Sequence, residues 1–153
     1  DEELKNAMKN GKVELENRPD ENVCYISITC KAAIESGELS DSMLSILPED
    51  GVILKDYQTE YEDGASVFDV LAEVAKENKI HMEYTGNAKI PYIEGVANLY
   101  EFDCGSESGW MYKVNGWFPN YGCSSYYLTG GEKIVWCYTC NGLGEDVGAE
   151  RWE

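Results

Sequence analysis

Basic residues are scarce: 12 lysines and arginines stand against 29 aspartates and glutamates, a formal net charge of -17 over 153 residues. Nucleic acids and anionic membrane surfaces are polyanions, so neither is an expected partner. Histidine is nearly absent, with His81 alone. That removes paired His/Asp constellations and histidine-rich zinc sites. No stretch approaches the ~18 apolar residues of a membrane span. There is no nucleophile elbow, no Gly-rich phosphate loop and no repeat of about 20 to 50 residues. The length suits one domain with one core, and an enzyme has little chemistry to draw on.

What is present is cysteine, glycine and aromatic surface. Six cysteines in so short a chain predict disulfides in an oxidising compartment. The opening Asp1-Glu2-Glu3-Leu4-Lys5 has no apolar export core, as expected of a mature chain whose signal has been removed. The expected setting is therefore extracellular or at the cell surface, and the expected state monomeric. Six cysteines allow 15 pairings, and the spacing leaves the choice open; in one set Cys104 and Cys123, which flank the Trp110–Tyr121 segment, staple it, a loop worth roughly 3 kcal/mol in the chain-entropy model. Cys30 and Cys140 would tie the first and last strands, leaving Cys24 to Cys137. That set needs an irregularity near Thr139, because 137 and 140 face opposite sides of an ideal strand. Cys137-x-x-Cys140 reads as structural: its flanks are β-like, whereas a redox pair sits where a helix begins and zinc needs further ligands.

Residues 1–21 are charged and lack an apolar face, which predicts a solvated acidic linker or stalk. Residues 22–143 are the expected domain and 144–153 a polar tail. Val23 to Cys30 alternates, with Cys24, Ile26, Ile28 and Cys30 on one side, as a half-buried strand does. Lys31 to Asp50 is a polar excursion with a short helical turn near Met43 to Leu47. Val52 to Tyr61 is a second strand. Ser66 to Asn78 is the best helix: Ser66 and Asp69 have capping-box spacing, and Val67, Val70, Leu71, Val74 and Ala75 form one stripe. Ile80 to Thr85 and Tyr92 to Phe102 read as strands, the latter with Gly95 as a bulge. Trp110, Tyr112 and Val114 alternate into Asn115-Gly116, a strong turn signal. Gly130-Gly131 plays a similar part before Ile134, Trp136 and Tyr138. One helix among about six strands predicts a small α+β domain, β-grasp-like, with the helix on a mixed, mostly antiparallel, disulfide-stapled sheet.

Trp110, Tyr112, Trp136 and Tyr138 hold alternating strand positions and read as core. Trp117, Phe118 and Tyr121 instead sit in a Gly/Pro/Asn-punctuated loop, where an exposed cluster marks a partner or a flat apolar ligand. Asp103, Glu107, Glu145 and Asp146 are the acids that a calcium-stabilised alternative would use, although no D-x-D-x-D-G loop accompanies them. His81 reads as a sheet-surface residue rather than a base.

The run Gly109-Trp110-Met111-Tyr112-x-Val114-Asn115-Gly116, then Gly122, then Tyr126-x-Leu128-x-x-Gly131-x-x-Ile134-x-Trp136-x-Tyr138 resembles the DUF4430 family. The helical Val67-Phe68-Asp69-Val70-Leu71 and the segment Tyr92-Ile93-Glu94-Gly95-Val96 fit the same pattern. That family is similar to the C-terminal β-domain of transcobalamin and intrinsic factor. The resemblance implies a small α+β domain of exported or surface bacterial proteins. It also implies a non-enzymatic binding role, with a corrinoid (cobalamin-like) as candidate ligand and no resident cofactor or metal otherwise expected. Trp117, Phe118 and Tyr121 would face the corrin, with Asn115 and Asn120 as amide partners. A surface protein or glycan interaction module is the alternative use of the same loop.

Overall fold

The computed structural model describes residues 22–87, 89–142 and 144–149. The expected acidic stalk, 1–21, and the end of the expected tail lie outside the described residues.

Strand β1 (Val23–Thr29) buries Cys24, Ile26 and Ile28 and leaves the alternate residues half-covered, as its period-2 pattern requires. It pairs antiparallel with β2 (Val52–Glu60) and parallel with β7 (Lys133–Thr139), which pairs antiparallel with β6 (Gly109–Val114). The mixed four-stranded sheet runs β2-β1-β7-β6. The chain also forms a second, antiparallel sheet, β3 (Met82–Thr85), β4 (Tyr92–Val96) and β5 (Leu99–Tyr100), in that order. The fold is thus α+β as expected, but with two sheets instead of one.

Residues 92–102 are a hairpin rather than one strand. Ala97 and Asn98 take φ of 55° and 67°, the left-handed pair that a two-residue hairpin turn demands. Alanine there hid the turn. Register slips between Glu83 and Tyr84, so that Gly95 and Ile93 face successive β3 residues and Glu94 is the extra one. Gly95 itself allows close approach: a Cβ there would meet the Tyr100 ring at 2.8 Å.

The polar excursion after β1 holds two short helices, α1 (Lys31–Ser36) and α2 (Asp41–Ile46). The expectation of a single helix with one helical turn at 43–47 is corrected accordingly. Six-residue helices with few buried positions show too little periodicity to stand out. Helix α3 (Val67–Glu77) carries the full capping box: Asp69 N–H donates to Ser66 Oγ and Ser66 N–H to Asp69 Oδ2. Its apolar stripe, with Phe68, joins Ile26, Ile28, Ile134, Trp136 and Tyr138 in a single core. Trp110, Tyr112, Trp136 and Tyr138 are all buried, as strand alternation predicted. A short 3-10 turn, Glu145–Val147, folds back on β7, where Asp146 accepts from the Cys140 N–H.

The disulfide staples are the main correction. All six cysteines are free thiols in the structure. Of the expected partners, Cys104 neighbours Cys140 instead of Cys123. Cys24, Cys30 and Cys123 are buried in the apolar core, where a thiol behaves as a small hydrophobe, and Cys137 is buried on the other face of β7, near Lys113 and Asp146.

Candidate functional site

The 110–128 segment is built outward from β6. Asn115 and Gly116, at φ of 51° and 84°, form a tight turn after Val114, which exchanges both backbone hydrogen bonds with Trp117 at 2.8 and 3.0 Å. The turn ejects Trp117 to 48% exposure and returns Phe118 inward to 9%. Lys113 Nζ lies 5.6 Å from the centre of the Phe118 ring, within cation–π range.

Downstream, Tyr121 is 44% exposed. Its backbone is anchored from beneath by the buried Tyr112, whose hydroxyl donates to the Tyr121 carbonyl at 2.8 Å. A 3-10 turn, Cys123–Ser125, follows. The Val67 N–H, at the start of α3, donates to the Tyr126 carbonyl at 3.0 Å, and the Leu128 N–H to the Ala65 carbonyl at 2.9 Å. The loop is thereby held at both ends by rigid elements.

Three rings line up on this frame. Trp117 and Tyr121 meet edge-to-face with centres 6.2 Å apart; Tyr121 and Tyr126 stack with centres 6.1 Å apart and an interplanar angle of 16°. Tyr126 is half-buried, and Tyr127 beside it is exposed. The row places exposed aromatic surface on a fixed base, the kind of surface that packs against an apolar ligand.

The structure thus sorts the five expected ligand residues. Trp117 and Tyr121 share the row. Asn120 is exposed beside Tyr121 in the chain. Phe118 is withdrawn into the protein, because a residue directly after a two-residue hairpin bridge points to the opposite face from its neighbour. The Asn115 side-chain oxygen accepts from the Lys133 N–H at 2.9 Å, so it holds the turn to β7. Tyr126, which is not among the five, joins the row by stacking on Tyr121.

Glu132 had no expected role and is a structural centre. It is 4% exposed, and its carboxylate accepts from Thr129 N at 2.6 Å, Thr129 Oγ1 at 3.1 Å and Gly130 N at 3.0 Å. A buried carboxylate satisfied in this way pins the turn that leads from the aromatic loop into β7.

Burial pushes the Tyr112 and Tyr126 hydroxyls upward. Burial likewise raises the Cys123 and Cys137 thiols, each to about 11. Reactive thiolates are lowered instead, so Cys123 and Cys137 read as structural thiols. Asp103 is engaged with the Tyr100 N–H and Asp146 with the Cys140 N–H. Among the described residues, no group of three or more His, Cys, Asp or Glu is placed to hold a metal ion. His81 is exposed and lies 2.6 Å from the Tyr100 hydroxyl, which itself donates to Glu83. No helix of the described residues is long and apolar enough to cross a membrane.

Comparison with known proteins adds the family. The model for a domain of unknown function, DUF4430, matches residues 64–140, which contain α3, the second sheet, the aromatic loop and β7. No curated protein sequence matches the chain. Among solved structures, the fold is similar to haptocorrin, solved in complex with Cbi: TM-score 0.52 and 14% identity, over 80% of this chain and 26% of that one. The chain thus spans about a quarter of haptocorrin, and at this identity the likeness concerns the fold alone. A Ruminococcus gnavus protein provisionally described as metal binding is also similar, with TM-score 0.46 and 14% identity over 78% of this chain and 97% of that one. At that score it carries no argument.

Proposed function

The chain belongs to the DUF4430 family, and on that premise we propose that it is a non-enzymatic, extracellular ligand-binding module. Its aromatic row covers one face of a flat, largely apolar ligand of the corrinoid class. The observation that carries this reading is the row itself. Trp117, Tyr121 and Tyr126 form consecutive ring contacts on a loop fastened by Tyr112, by α3 and by the Asn115-Gly116 turn. Aromatic rings exposed on a rigid base lose little entropy on binding. Asn120 supplies an amide beside the row for the ligand's polar edge. The fold likeness to haptocorrin, itself solved with Cbi (cobinamide), supports the choice of ligand class.

A single row buries one face of a planar ligand and leaves the other to solvent. Affinity is therefore modest, in the micromolar range or weaker, about -8 kcal/mol at most. The test is a visible-absorption and calorimetric titration with cobinamide and cobalamin. A saturable spectral shift that Trp117→Ala weakens supports the proposal. Silence with both corrinoids, or a signal that Trp117→Ala leaves intact, sinks it and turns attention to protein or glycan partners at the same rings.

A further inference from the structure

Cys104 and Cys140 occupy a place unlike that of the other four cysteines. Cys104 lies in the loop between β5 and β6, and Cys140 directly follows β7. The two sulfurs are in contact with each other, and the Ser36 hydroxyl at the end of α1 contacts both. Ser36 Oγ lies 3.3 Å from Cys104 Sγ. Neither backbone is loose: the Cys104 N–H donates to Ser108 Oγ at 3.0 Å and the Cys140 N–H to Asp146 Oδ2 at 2.8 Å. Ser108 Oγ in turn lies 2.9 Å from the hydroxyl of the buried Tyr138. Two sulfurs 36 positions apart in sequence are thus held in contact by independent anchors. Cys104 is buried, whereas Cys140 is partly open to solvent.

The geometry points to Cys104 and Cys140 as a single thiol–disulfide site, closed by a low-molecular-weight disulfide of the glutathione class. This inference does not depend on the ligand of the aromatic row. The partly exposed Cys140 sulfur, as thiolate, attacks one sulfur of the oxidant, forms a mixed disulfide and releases one thiolate. The Cys104 sulfur, after giving up its proton, attacks the Cys140 sulfur and expels the second thiolate. Two electrons pass from the cysteine pair to the oxidant, and the two thiol protons end on the two small thiols released. Burial and the neighbouring Cys104 thiol push the Cys140 thiol up, so closure is slow at neutral pH and accelerates in alkali. The bond would join the 102–108 loop, the end of β7 and, through Ser36, α1, leaving the four buried thiols alone.

The experiment treats the protein with oxidised glutathione at mildly alkaline pH, blocks residual thiols and maps the peptides. The expected product has lost the mass of two hydrogens, carries one crosslink joining Cys104 to Cys140, and melts about 10 °C higher until reduced. In Cys104→Ser, Cys140 should stop at the glutathione mixed disulfide. In Cys24→Ser the crosslink should form as in the parent protein. A crosslink joining any other pair overturns the inference. So does finding Cys104 and Cys140 still blocked as free thiols, or a Cys140 crosslink that survives Cys104→Ser.

Discussion

The Tyr112 hydroxyl donates to the Tyr121 carbonyl across 2.8 Å, which couples a core residue of β6 to the middle ring of an exposed row. The phenol also reaches the Gly122 carbonyl at 3.3 Å. Position in the row is therefore set from inside the protein. Tyr112→Phe should keep the packed ring and lose the anchor. We expect a stability loss of about 1 kcal/mol by urea denaturation, together with weaker ligand binding than that loss accounts for. Unchanged binding would mean that the loop holds its shape without the phenol.

Trp117 and Phe118 are neighbours with opposite burial, and their alanine variants should separate function from stability. Trp117→Ala removes a half-exposed ring and should change stability by less than about 1 kcal/mol. Phe118→Ala empties a buried site and should cost about 3 kcal/mol. Thermal melts of the two variants check this, and equal losses would contradict the assigned orientation of the loop.

Glu132 offers a sharper stability test. Glu132→Ala strips the buried acceptor from the Thr129 and Gly130 amides, and an unpaired donor costs about 1–3 kcal/mol where water does not reach it. We expect a loss of roughly 3 kcal/mol by chemical denaturation, with Glu132→Gln recovering part of it. A loss under about 1 kcal/mol would show that water satisfies the turn.

Stability should decline in alkali. Burial raises the Cys24 thiol to about 12 and the Cys30, Cys123 and Cys137 thiols to about 11. In the unfolded chain a thiol ionises near ~8.5. Above that value the unfolded state sheds protons which the native state retains. The stabilisation is complete below about pH 8.5 and drains as pH rises through the native values. Urea midpoints measured from about pH 8 to 10.5 should fall, and Cys24→Ser should flatten the slope.

The capping box makes a smaller claim. Ser66→Ala removes the acceptor for the Asp69 N–H and should cost about 1 kcal/mol. Since the Val67 N–H also binds the Tyr126 carbonyl, fraying at the start of α3 should loosen the stacked end of the row. Hydrogen exchange at Val67 and Leu128 would report it.

Local pattern alone determined much of this protein. The alternation of Cys24, Ile26 and Ile28, the stripe and cap of α3, and the Asn115-Gly116 turn each rest on interactions within a few residues. Backbone periodicity and φ preference act over that range, and all three elements form where the pattern places them. The aromatic loop was equally legible as a segment. Other features depended on which distant residues meet. The second sheet required the turn at Ala97-Asn98, for which alanine carries no signal. The direction of Phe118 depended on which side of the hairpin became core, and the use of Asn115 as a brace needed Lys133 opposite it. Glu132 gained its role only when the turn at Thr129 and Gly130 closed around its buried carboxylate. Cysteine count and spacing pointed to staples but could not say which sulfurs meet. That Cys104 neighbours Cys140 follows from the packing of β7, the 102–108 loop and α1, and contacts so far apart in sequence leave no local trace.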